Sequence, residues 1–462
     1  MKRYDAIVIG SGQGGNPLCH KLADHGWRVA LIEKAHLGGT CINSGCTPTK
    51  TMVASAQVAH YARNAARWGV ESGEVRVDLP SVVRRKDTIV ESFRSGQQRN
   101  VDKRPNLDLY RGHGRFTGPH RIQVGEETLE SERIFIDTGT RTDIPRIEGL
   151  STVPYLTNST LMDLQEVPEH LIVLGGGYIG LEFGQMYRRF GSNVTVIHRG
   201  DQLLTREDPD IAAELQRALG AEGIEFILNA TTTAVGQANG KIILSLEGNP
   251  LPSGGPARSI SGSHLLIAAG RRPNTDDLGL EQAGVETDQR GFVRVNRRLE
   301  TNVPGIWALG DVKGGPAFTH ISYNDFQILY ANLIEEKDLG VDRRIVPYSV
   351  FTDPQLGRVG MTETEARAKG HALKIGKIPM SWVARAIERD ETAGMMKLVV
   401  DAATDRILGA AILALEGGEL VQMLGVLMLA DLPYTLLKGA VYIHPTLAEG
   451  FFTLMENVKP VD

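Results

Sequence analysis

The stretch Ala6-Ile-Val-Ile-Gly10-Ser-Gly12-Gln-Gly-Gly15 joins a short apolar run to a glycine-rich turn. The same pattern returns 165 residues later, where Leu171-Ile-Val-Leu174 leads into Gly175-Gly-Gly177-Tyr-Ile-Gly180. Each copy reads G-x-G-x-x-G, opens a helical pattern and is followed by a second apolar strand. Such glycines permit a tight turn that brings backbone N–H groups and a helix N-terminus close to a pyrophosphate. The sequence therefore predicts two Rossmann-like units and two dinucleotides, the alternative being a glycine-rich loop without a ligand.

The two units differ at the end of their second strand, where an acid normally accepts hydrogen bonds from ribose hydroxyls. Glu33 stands there in the first unit, whereas the second unit has His198, followed by Arg199 and Arg206. A carboxylate would repel a ribose 2′-phosphate, and a His/Arg cluster would attract it. We therefore expect NADP at the second unit, with NAD and merely solvated arginines as the alternative.

Two cysteines lie close together in Gly38-Gly-Thr40-Cys41-Ile-Asn-Ser-Gly-Cys46-Thr-Pro-Thr-Lys50. Thiols at this spacing form a disulfide only if the segment coils, because bridged Cα atoms lie within roughly 7 Å. Thr47 and Pro48 predict the cap and first residue of a helix, whose N-terminus would favour the thiolate of Cys46. The alternatives are two buried apolar cysteines or half a zinc site, but zinc would need two more ligands. The remaining Cys19 is predicted to be a small buried hydrophobe. The stretch thus indicates a two-electron redox centre without a resident metal.

The composition limits the other possibilities. The 462 residues are 42% hydrophobic and 23% charged, with a net charge of -5 and a pI near 6.2. This chain is long enough for several domains and has no basic field for nucleic acid or an anionic membrane. Neither a transmembrane run of about 18 apolar residues nor a signal peptide is evident, and three cysteines do not suit a secreted disulfide scaffold. We expect a cytoplasmic protein with small-molecule partners.

Four features together resemble the class I pyridine nucleotide-disulfide oxidoreductases, also called flavoprotein disulfide reductases. They are the cysteine motif, the two glycine turns, Gly310-Asp311, and His444-Pro-Thr-x-x-Glu449. The family includes dihydrolipoamide dehydrogenase, glutathione reductase and mercuric reductase, and the resemblance covers essentially the whole chain. It implies an α/β fold with two Rossmann-like dinucleotide-binding domains plus a C-terminal α+β dimerisation domain. The expected domains are an FAD-binding domain (first part, 1–150), an NAD(P)-binding domain (151–273), a central domain that completes the FAD site (274–338) and a dimerisation domain (339–462).

The resemblance also implies the cofactor sites. FAD would occupy the first unit, with Glu33 on its ribose and Asp311 on the ribitol side, and the nicotinamide nucleotide the second. Tyr178 matches the tyrosine that gates the flavin, while Lys50 and Glu182 match the ion pair near flavin N5. The candidate cofactor-binding residues are Gly10, Gly12, Gly15, Glu33, Thr40, Lys50, Gly114, Thr138, Gly139, Asp311, Gly175, Gly177, Tyr178, Gly180, His198, Arg199, Arg206 and Gly270.

The mechanism implied by the resemblance runs from NAD(P)H through FAD to a Cys41–Cys46 disulfide. Cys46 would be the charge-transfer thiolate and Cys41 the interchange thiol. His444, oriented by Glu449, would be the general acid/base for Cys41, and in the family it comes from the partner subunit of an obligate homodimer. From the residues alone, a structural role for His444 is the alternative.

The electron acceptor is the least determined feature. Residues 196–209 and 351–360 look most like the mercuric-reductase branch and its metal-reductase relatives, and 311–326 resembles relatives that keep the His–Glu pair. Vicinal C-terminal cysteines and an N-terminal metal-binding domain are absent, so we do not expect true mercuric reduction. We expect NAD(P)H-dependent reduction of a small disulfide or a metal ion such as Cu(II). One alternative is dihydrolipoamide dehydrogenase or some other thiol-disulfide reductase. The second alternative is a non-turnover redox sensor or an electron-supplying subunit.

Overall fold

The structure, a computed structural model, describes residues 1–248 and 258–461. Its first part begins a parallel sheet in which β2, β3, β4 and β8 are neighbours. Every residue of β2 and β3 is buried, as expected of strands covered on both faces. The elements are β1 (Lys2–Arg3), β2 (Ala6–Ile9), α1 (Gly15–Asp24), β3 (Val29–Glu33), α2 (Gly39–Asn43), α3 (Cys46–Asn64), α4 (Leu79–Asp102), β4 (Leu107–Arg111), β5 (Gly114–Gly118), β6 (Arg121–Val124), β7 (Glu127–Glu130), β8 (Ile134–Ile136), β9 (Thr140–Thr142) and α5 (Asn158–Leu161).

The second part repeats the strand, glycine turn and helix. A parallel sheet has the order β12-β11-β10-β16, and an antiparallel sheet of β13, β14 and β15 accompanies it. The elements are β10 (His170–Leu174), α6 (Tyr178–Phe190), β11 (Asn193–Ile197), α7 (Pro209–Ala221), β12 (Ile224–Ile227), β13 (Ala230–Ala238), β14 (Lys241–Gly248), β15 (Arg258–Gly262), β16 (His264–Ile267), β17 (Arg271–Pro273) and α8 (Leu280–Ala283).

The chain then returns to the first sheet. Strand β18 (Ile306–Ala308) pairs in parallel with β8 and completes the order β18-β8-β2-β3-β4. Helix α9 (Thr319–Ile334) follows and packs against α1. The return explains how residues distant in sequence meet at one site. The domain boundaries at 150, 273 and 338 remain predictions.

The last part is a six-stranded antiparallel sheet with the order β19-β20-β23-β22-β21-β24. Its elements are β19 (Tyr348–Val350), β20 (Gln355–Gly360), α10 (Glu363–Ala368), β21 (Leu373–Pro379), α11 (Ala384–Glu388), β22 (Met395–Asp401), β23 (Ile407–Ala414), α12 (Gly417–Leu429), α13 (Thr435–Lys438), α14 (Gly450–Glu456) and β24 (Lys459–Val461). The predicted fold class is confirmed: two Rossmann-like units and a C-terminal α+β part.

Candidate redox active site

A cavity of about 760 Å³ lies where the three parts meet. Helix termini, the first glycine turn and segments 317–320 and 347–351 all contribute to its wall. The residues expected from sequence that line it are Gly10, Gly12, Glu33, Thr40, Cys41, Cys46, Lys50, Gly114, Thr138, Gly139, Tyr178, Glu182 and Asp311. The two thiols therefore share one space with the predicted FAD residues.

The cysteine segment coils, as the spacing requires. Cys41 lies in α2, and Cys46 is the first residue of α3, with Gly45 as the N-cap. A Cβ atom at Gly45 would stand 2.8 Å from the Thr40 carbonyl oxygen, so the tight turn needs glycine. The expectation that Thr47 caps the helix and Pro48 is its first residue is wrong, because the turn at Gly45 already makes Cys46 helical. Pro48 still falls in the first turn, where its missing N–H costs little.

The pKa values of the two thiols are shifted in opposite directions. The hydrogen bond with Cys41 is the main cause that lowers the pKa of Cys46 to about 6, and Thr319 and the charge of Lys50 add to it against the opposing effect of burial. The same hydrogen bond, with burial, raises the pKa of Cys41. Cys46 Sγ lies 3.3 Å from Thr319 Oγ1. At neutral pH the pair therefore holds one proton, on Cys41, and Cys46 is the thiolate.

Lys50 and Glu182 form the ion pair expected from sequence. Lys50 Nζ lies 2.6 Å from Glu182 Oε2, and the Glu182 side chain is only 4% exposed. The backbone N–H of Phe351 donates to Glu182 Oε1 at 2.9 Å. The lysine ammonium also lies 4.5 Å from the centre of the Phe351 ring. The ammonium is thus fixed inside the cavity, four residues after Cys46; its position near flavin N5 remains a prediction.

The first glycine turn fits a dinucleotide. Gly10 has φ +103°, and a Cβ atom there would lie 2.2 Å from the Asp137 carbonyl oxygen. The Ser11 N–H and hydroxyl both donate to Glu33 Oε2, at 3.1 and 2.6 Å, and the Thr140 hydroxyl donates to Asp311 Oδ2 at 2.9 Å. The wall therefore offers a side-chain-free backbone at the turn and two held carboxylates. These residues fit FAD, which would bind with its pyrophosphate at the turn.

Gly15 does not line the cavity and has a packing role. A Cβ atom there would lie 2.5 Å from the Gly10 carbonyl oxygen, and its N–H donates to Asp137 Oδ2 at 2.7 Å. Burial raises the pKa of the Asp137 carboxyl, which sequence reasoning did not single out. The buried Asp137 carboxyl thus stabilises the glycine turn through its hydrogen bond from the Gly15 N–H.

The second glycine turn repeats this geometry, and its glycines lie outside the cavity that Tyr178 lines. A Cβ atom at Gly175 would lie 2.3 Å from the Ala268 carbonyl oxygen, and one at Gly180 would lie 2.0 Å from the Gly175 carbonyl oxygen. Gly177 has no described heavy atom within 4 Å of its added Cβ position, so the turn is open to a ligand. Gly270 is exposed after β16, and its carbonyl accepts the Asp143 N–H at 2.9 Å.

The predicted phosphate cluster has two kinds of member. His198 Nδ1 accepts the Gly176 N–H at 3.2 Å, and burial and then Arg199 lower the pKa of His198. Arg199 and Arg206 are exposed, and neither guanidinium has a hydrogen bond or ion pair with any residue in the described ranges. The Leu204 N–H donates to the Gly176 carbonyl at 3.0 Å, and this hydrogen bond connects the segment that carries Arg199 and Arg206 to the glycine turn. The imidazole is neutral at pH 7, and the arginines supply the positive charge.

His444 and Glu449 form their expected contact away from the cavity. His444 Nδ1 lies 2.9 Å from Glu449 Oε2, and the His444 side chain is 72% exposed. The neighbouring Val441 and Ile443 are 100% and 78% exposed. An oriented histidine beside bare apolar side chains is typical of a surface that another subunit covers. That His444 acts in the site of a partner subunit remains a prediction.

Sequence reasoning missed the aromatic residues beside Cys46. The Phe318 ring stacks on the rings of Tyr348 and His320, and Thr319 contacts the Cys46 sulfur across 273 residues of sequence. Their only sequence signal is that 318–320 fall within the stretch 311–326 that carries the family resemblance. A contact of this range is not visible in a local pattern.

Cys19 is fully buried, as expected, and burial raises its pKa. Across residues 1–248 and 258–461, no group of three or more His, Cys, Asp or Glu side chains is arranged to hold a metal ion. Within the same ranges, no helix is both long and apolar enough to cross a membrane.

Comparison with known proteins agrees with this site. A family model described as pyridine nucleotide-disulphide oxidoreductase matches residues 4–325, and the dimerisation domain of that family matches residues 346–455, which supports a homodimer. The chain is 38% identical to the probable pyridine nucleotide-disulfide oxidoreductase RclA of Escherichia coli (strain K12), over 99% of this chain and 100% of that protein. It is 36% identical to a dihydrolipoyl dehydrogenase of Thermus scotoductus, over 99% and 97% of the two chains. A mercuric reductase of Lysinibacillus sphaericus is 33% identical, over 97% and 81%.

The solved structures include the Cu(II) complex of the HOCl-induced flavoprotein disulfide reductase RclA from Escherichia coli. It superposes with a TM-score of 0.89 at 37% identity, covering 99% of each chain. The fold, the thiol pair and the two family models all indicate the same family, and the family models together match most of the chain. The protein therefore belongs to the pyridine nucleotide-disulphide oxidoreductase family and is an FAD-containing oxidoreductase.

Proposed function

We propose that the protein is an NADPH-dependent reductase that delivers two electrons through Cys41 and Cys46 to a small disulfide or, one electron each, to two Cu(II) ions. The observation that carries the proposal is the difference in pKa between the two thiols. The pKa of Cys46 is lowered to about 6 while that of Cys41 is raised, in the cavity that also holds Lys50 and Glu182. Such a pair has one resident thiolate and one thiol that needs a base to react.

Bound FAD supplies two-electron transfer between the nicotinamide and the disulfide. On the protein side, Cys46 is held as a thiolate and Cys41 retains its proton until a base removes it. Glu449 accepts the Nδ1–H of His444, which leaves Nε2 free to take that proton. For a disulfide acceptor, Cys41 sulfur then bonds one acceptor sulfur while the other leaves and is protonated by the imidazolium. The Cys46 thiolate attacks the Cys41 sulfur, which restores the disulfide and releases the second acceptor sulfur as a thiolate that takes its proton from water.

The choice of acceptor rests on the accessible thiols. Of the three cysteines in this sequence, Cys19 is buried, so Cys41 and Cys46 are the ones that meet an acceptor. Hg(II) held between these two sulfurs would block the pair. Cu(II) takes electrons singly, and thiolates bind the Cu(I) that results. The similar RclA has been solved as a Cu(II) complex. Small disulfides or Cu(II) should therefore be better acceptors than Hg(II).

An NADPH-oxidation panel tests the proposal. Its acceptors are lipoamide, oxidised glutathione, other low-molecular-weight disulfides, Cu(II) and thiol-complexed Hg(II), each with wild type, Cys41→Ser and His444→Ala. We expect sustained turnover with a disulfide or Cu(II), lost in Cys41→Ser. Sustained Hg(II) turnover that is unaffected by His444→Ala would make the protein a mercuric reductase. Oxidation that stops after one equivalent with every acceptor would make it a redox sensor.

Mixed dimers test where the base comes from. A Cys41→Ser subunit paired with a His444→Ala subunit restores one intact site if His444 acts across the dimer, and none if it acts within its own chain. We expect disulfide-reductase activity to reappear on subunit exchange. Mixed dimers that form and stay inactive, while each parent folds and binds FAD, would refute the partner contribution.

A further inference from the structure

The aromatic stack beside Cys46 is part of a longer connected structure. The centre of the Phe318 ring lies 5.3 Å from that of Tyr348, with the planes at 7°, and 5.4 Å from that of His320, with the planes at 8°. His320 Nε2 lies 2.7 Å from the carbonyl oxygen of Pro347, the residue before Tyr348. The stack is therefore tied to the C-terminal sheet on both sides.

Tyr348 is in turn anchored to the second dinucleotide unit. Its hydroxyl donates to Glu207 Oε1, which also accepts Arg358 Nε at 3.1 Å, while Arg358 Nη2 donates to Glu207 Oε2. The side chains of Glu207 and Arg358 are each 1% exposed. A buried bidentate pair has one preferred geometry and is costly to disturb, so the Tyr348 hydroxyl is held at a fixed point. Glu207 directly follows Arg206 of the predicted phosphate cluster.

The other end of the stack reaches the thiolate. Phe318 is the N-cap residue of α9, and the next residue, Thr319, places Oγ1 3.3 Å from Cys46 Sγ. The position of that hydroxyl depends on the backbone at 318–319, since α9 begins there. The ring of Phe318 stacks on both Tyr348 and His320, so removal of either neighbouring ring leaves Phe318 less well packed.

We propose that Tyr348 is a positioning residue for Cys46: anchored on Glu207 and stacked on Phe318, it fixes the point from which the Thr319 hydroxyl donates to the sulfur. The proposal rests on the proposed function in taking Cys46 as the reactive thiolate. A hydrogen bond to an ionised group changes the equilibrium of that group by about tenfold or more, which is about one pH unit. The nucleotide unit thus helps to set how readily Cys46 ionises.

The test measures Cys46 directly. Cys41→Ser removes one of the two thiols of the cavity, and Cys19 is fully buried, so Cys46 is the thiol that iodoacetamide reaches in this variant. The pH dependence of its alkylation therefore reports the pKa of Cys46. We expect Thr319→Val to raise this pKa by about one pH unit and Thr319→Ser to leave it in place. Tyr348→Leu should raise it by a similar amount, and Tyr348→Phe, which keeps the ring, by less. The control is Tyr187→Phe, which removes a buried hydroxyl bonded to the Leu161 carbonyl.

The combination Thr319→Val/Tyr348→Leu decides whether the two residues act together. We expect no rise beyond that of Thr319→Val alone, because Tyr348 acts through the same hydroxyl. Additive rises, or Tyr348 variants with an unchanged pKa, would overturn the role of Tyr348. An unchanged pKa in Thr319→Val would overturn the whole connection.

The outcome is separable from that of the acceptor panel. Alkylation needs no acceptor and no turnover, so a protein that reduces none of the acceptors still gives a clear result here. A Cys46 pKa near the ordinary thiol value of about 8.5 in the Cys41→Ser background, unchanged by Thr319→Val, would overturn the role of Thr319 and Tyr348, while the proposed function would still be decided by the acceptor panel.

Discussion

The two dinucleotide units use the same turn but close it with different side chains. Ser11 and Gly176 occupy equivalent positions, and each donates its backbone N–H to a side chain at the end of the second strand. The acceptor is Glu33 Oε2, at 3.1 Å, in one unit and His198 Nδ1, at 3.2 Å, in the other, where His198 directly follows β11. The fold therefore requires an acceptor at this point, and not a charge. An acid meets that need and suits ribose hydroxyls, while a neutral imidazole meets it without repelling a phosphate.

The difference teaches how one architecture separates two ligands. In the first unit, a carboxylate stands where a 2′-phosphate would be, and the turn opens into the cavity with the thiols. In the second unit, two arginines that have no partner within residues 1–248 and 258–461 lie near an uncharged acceptor, beside a turn whose glycines are outside that cavity. We infer that the positive charges of Arg199 and Arg206 select the nucleotide of the second unit. The imidazole of His198 keeps the glycine turn in place by accepting the Gly176 N–H.

The largest expected effect comes from the glycines that both turns share. Gly15→Ala should give protein without FAD, because the new Cβ would lie 2.5 Å from the Gly10 carbonyl oxygen. Gly180→Ala should keep the flavin and lower kcat/KM for NADPH by about 100-fold, since its Cβ would lie 2.0 Å from the Gly175 carbonyl oxygen. Flavin absorbance and steady-state kinetics measure both. Gly220→Ala, in α7 with free space around it, is the control. Loss of FAD in Gly180→Ala would show that the units are not independent.

Installing the acid of the first unit in the second should reverse its selectivity. His198→Glu would still accept the Gly176 N–H but would repel a 2′-phosphate, so we expect the NADPH/NADH ratio of kcat/KM to fall by about tenfold or more. His198→Gln keeps an uncharged acceptor and should leave the ratio unchanged. If the ratio survives His198→Glu, the segment is ordinary solvated surface.

Removing one guanidinium should have a somewhat smaller effect. Charged pairs of this kind are worth about 1.5–3 kcal/mol, and the exposed Arg206 lies at the lower end of that range, so we expect Arg206→Ala to lower the NADPH/NADH ratio by about tenfold at low salt. The exposed Arg294, which lies outside both units, provides the matched variant Arg294→Ala. Equal ratios in the two variants would exclude a phosphate contact at Arg206.

The smallest expected effect is one of pH. The pKa of His198 is lowered below its ordinary value of 6.5, so the imidazole is mostly neutral at pH 7 and above and takes up a proton at a lower pH than a free imidazole does. Wild type and His198→Gln should therefore show the same NADPH/NADH ratio at each pH between about 7 and 8. A wild-type ratio that rises above that of His198→Gln as the pH falls would mean that His198 becomes a cation and binds the phosphate.

Local chemistry made much of the site predictable. The Gly10 and Gly175 turns, the pair Cys41/Cys46, and the dyad His444/Glu449 are short-range patterns, and each has the contact or conformation expected of it. Cap preferences at Thr47 and Pro48 predict a start of α3 that is two residues late, because they do not include the turn at Gly45 that already makes Cys46 helical.

By itself, the sequence determined the family, the two glycine turns and the thiol pair, because these depend on residues a few positions apart whose backbone demands are local. Only the tertiary structure decided which groups surround Cys46. Thr319 approaches it across 273 residues of chain, and Tyr348 reaches Glu207 across 141. It also decided that His198 is a neutral acceptor of the Gly176 N–H, since burial and the charge of Arg199 lower its affinity for a proton. Electrostatic environment and long-range hydrogen bonding arise from packing, and packing is not encoded in any single stretch of residues.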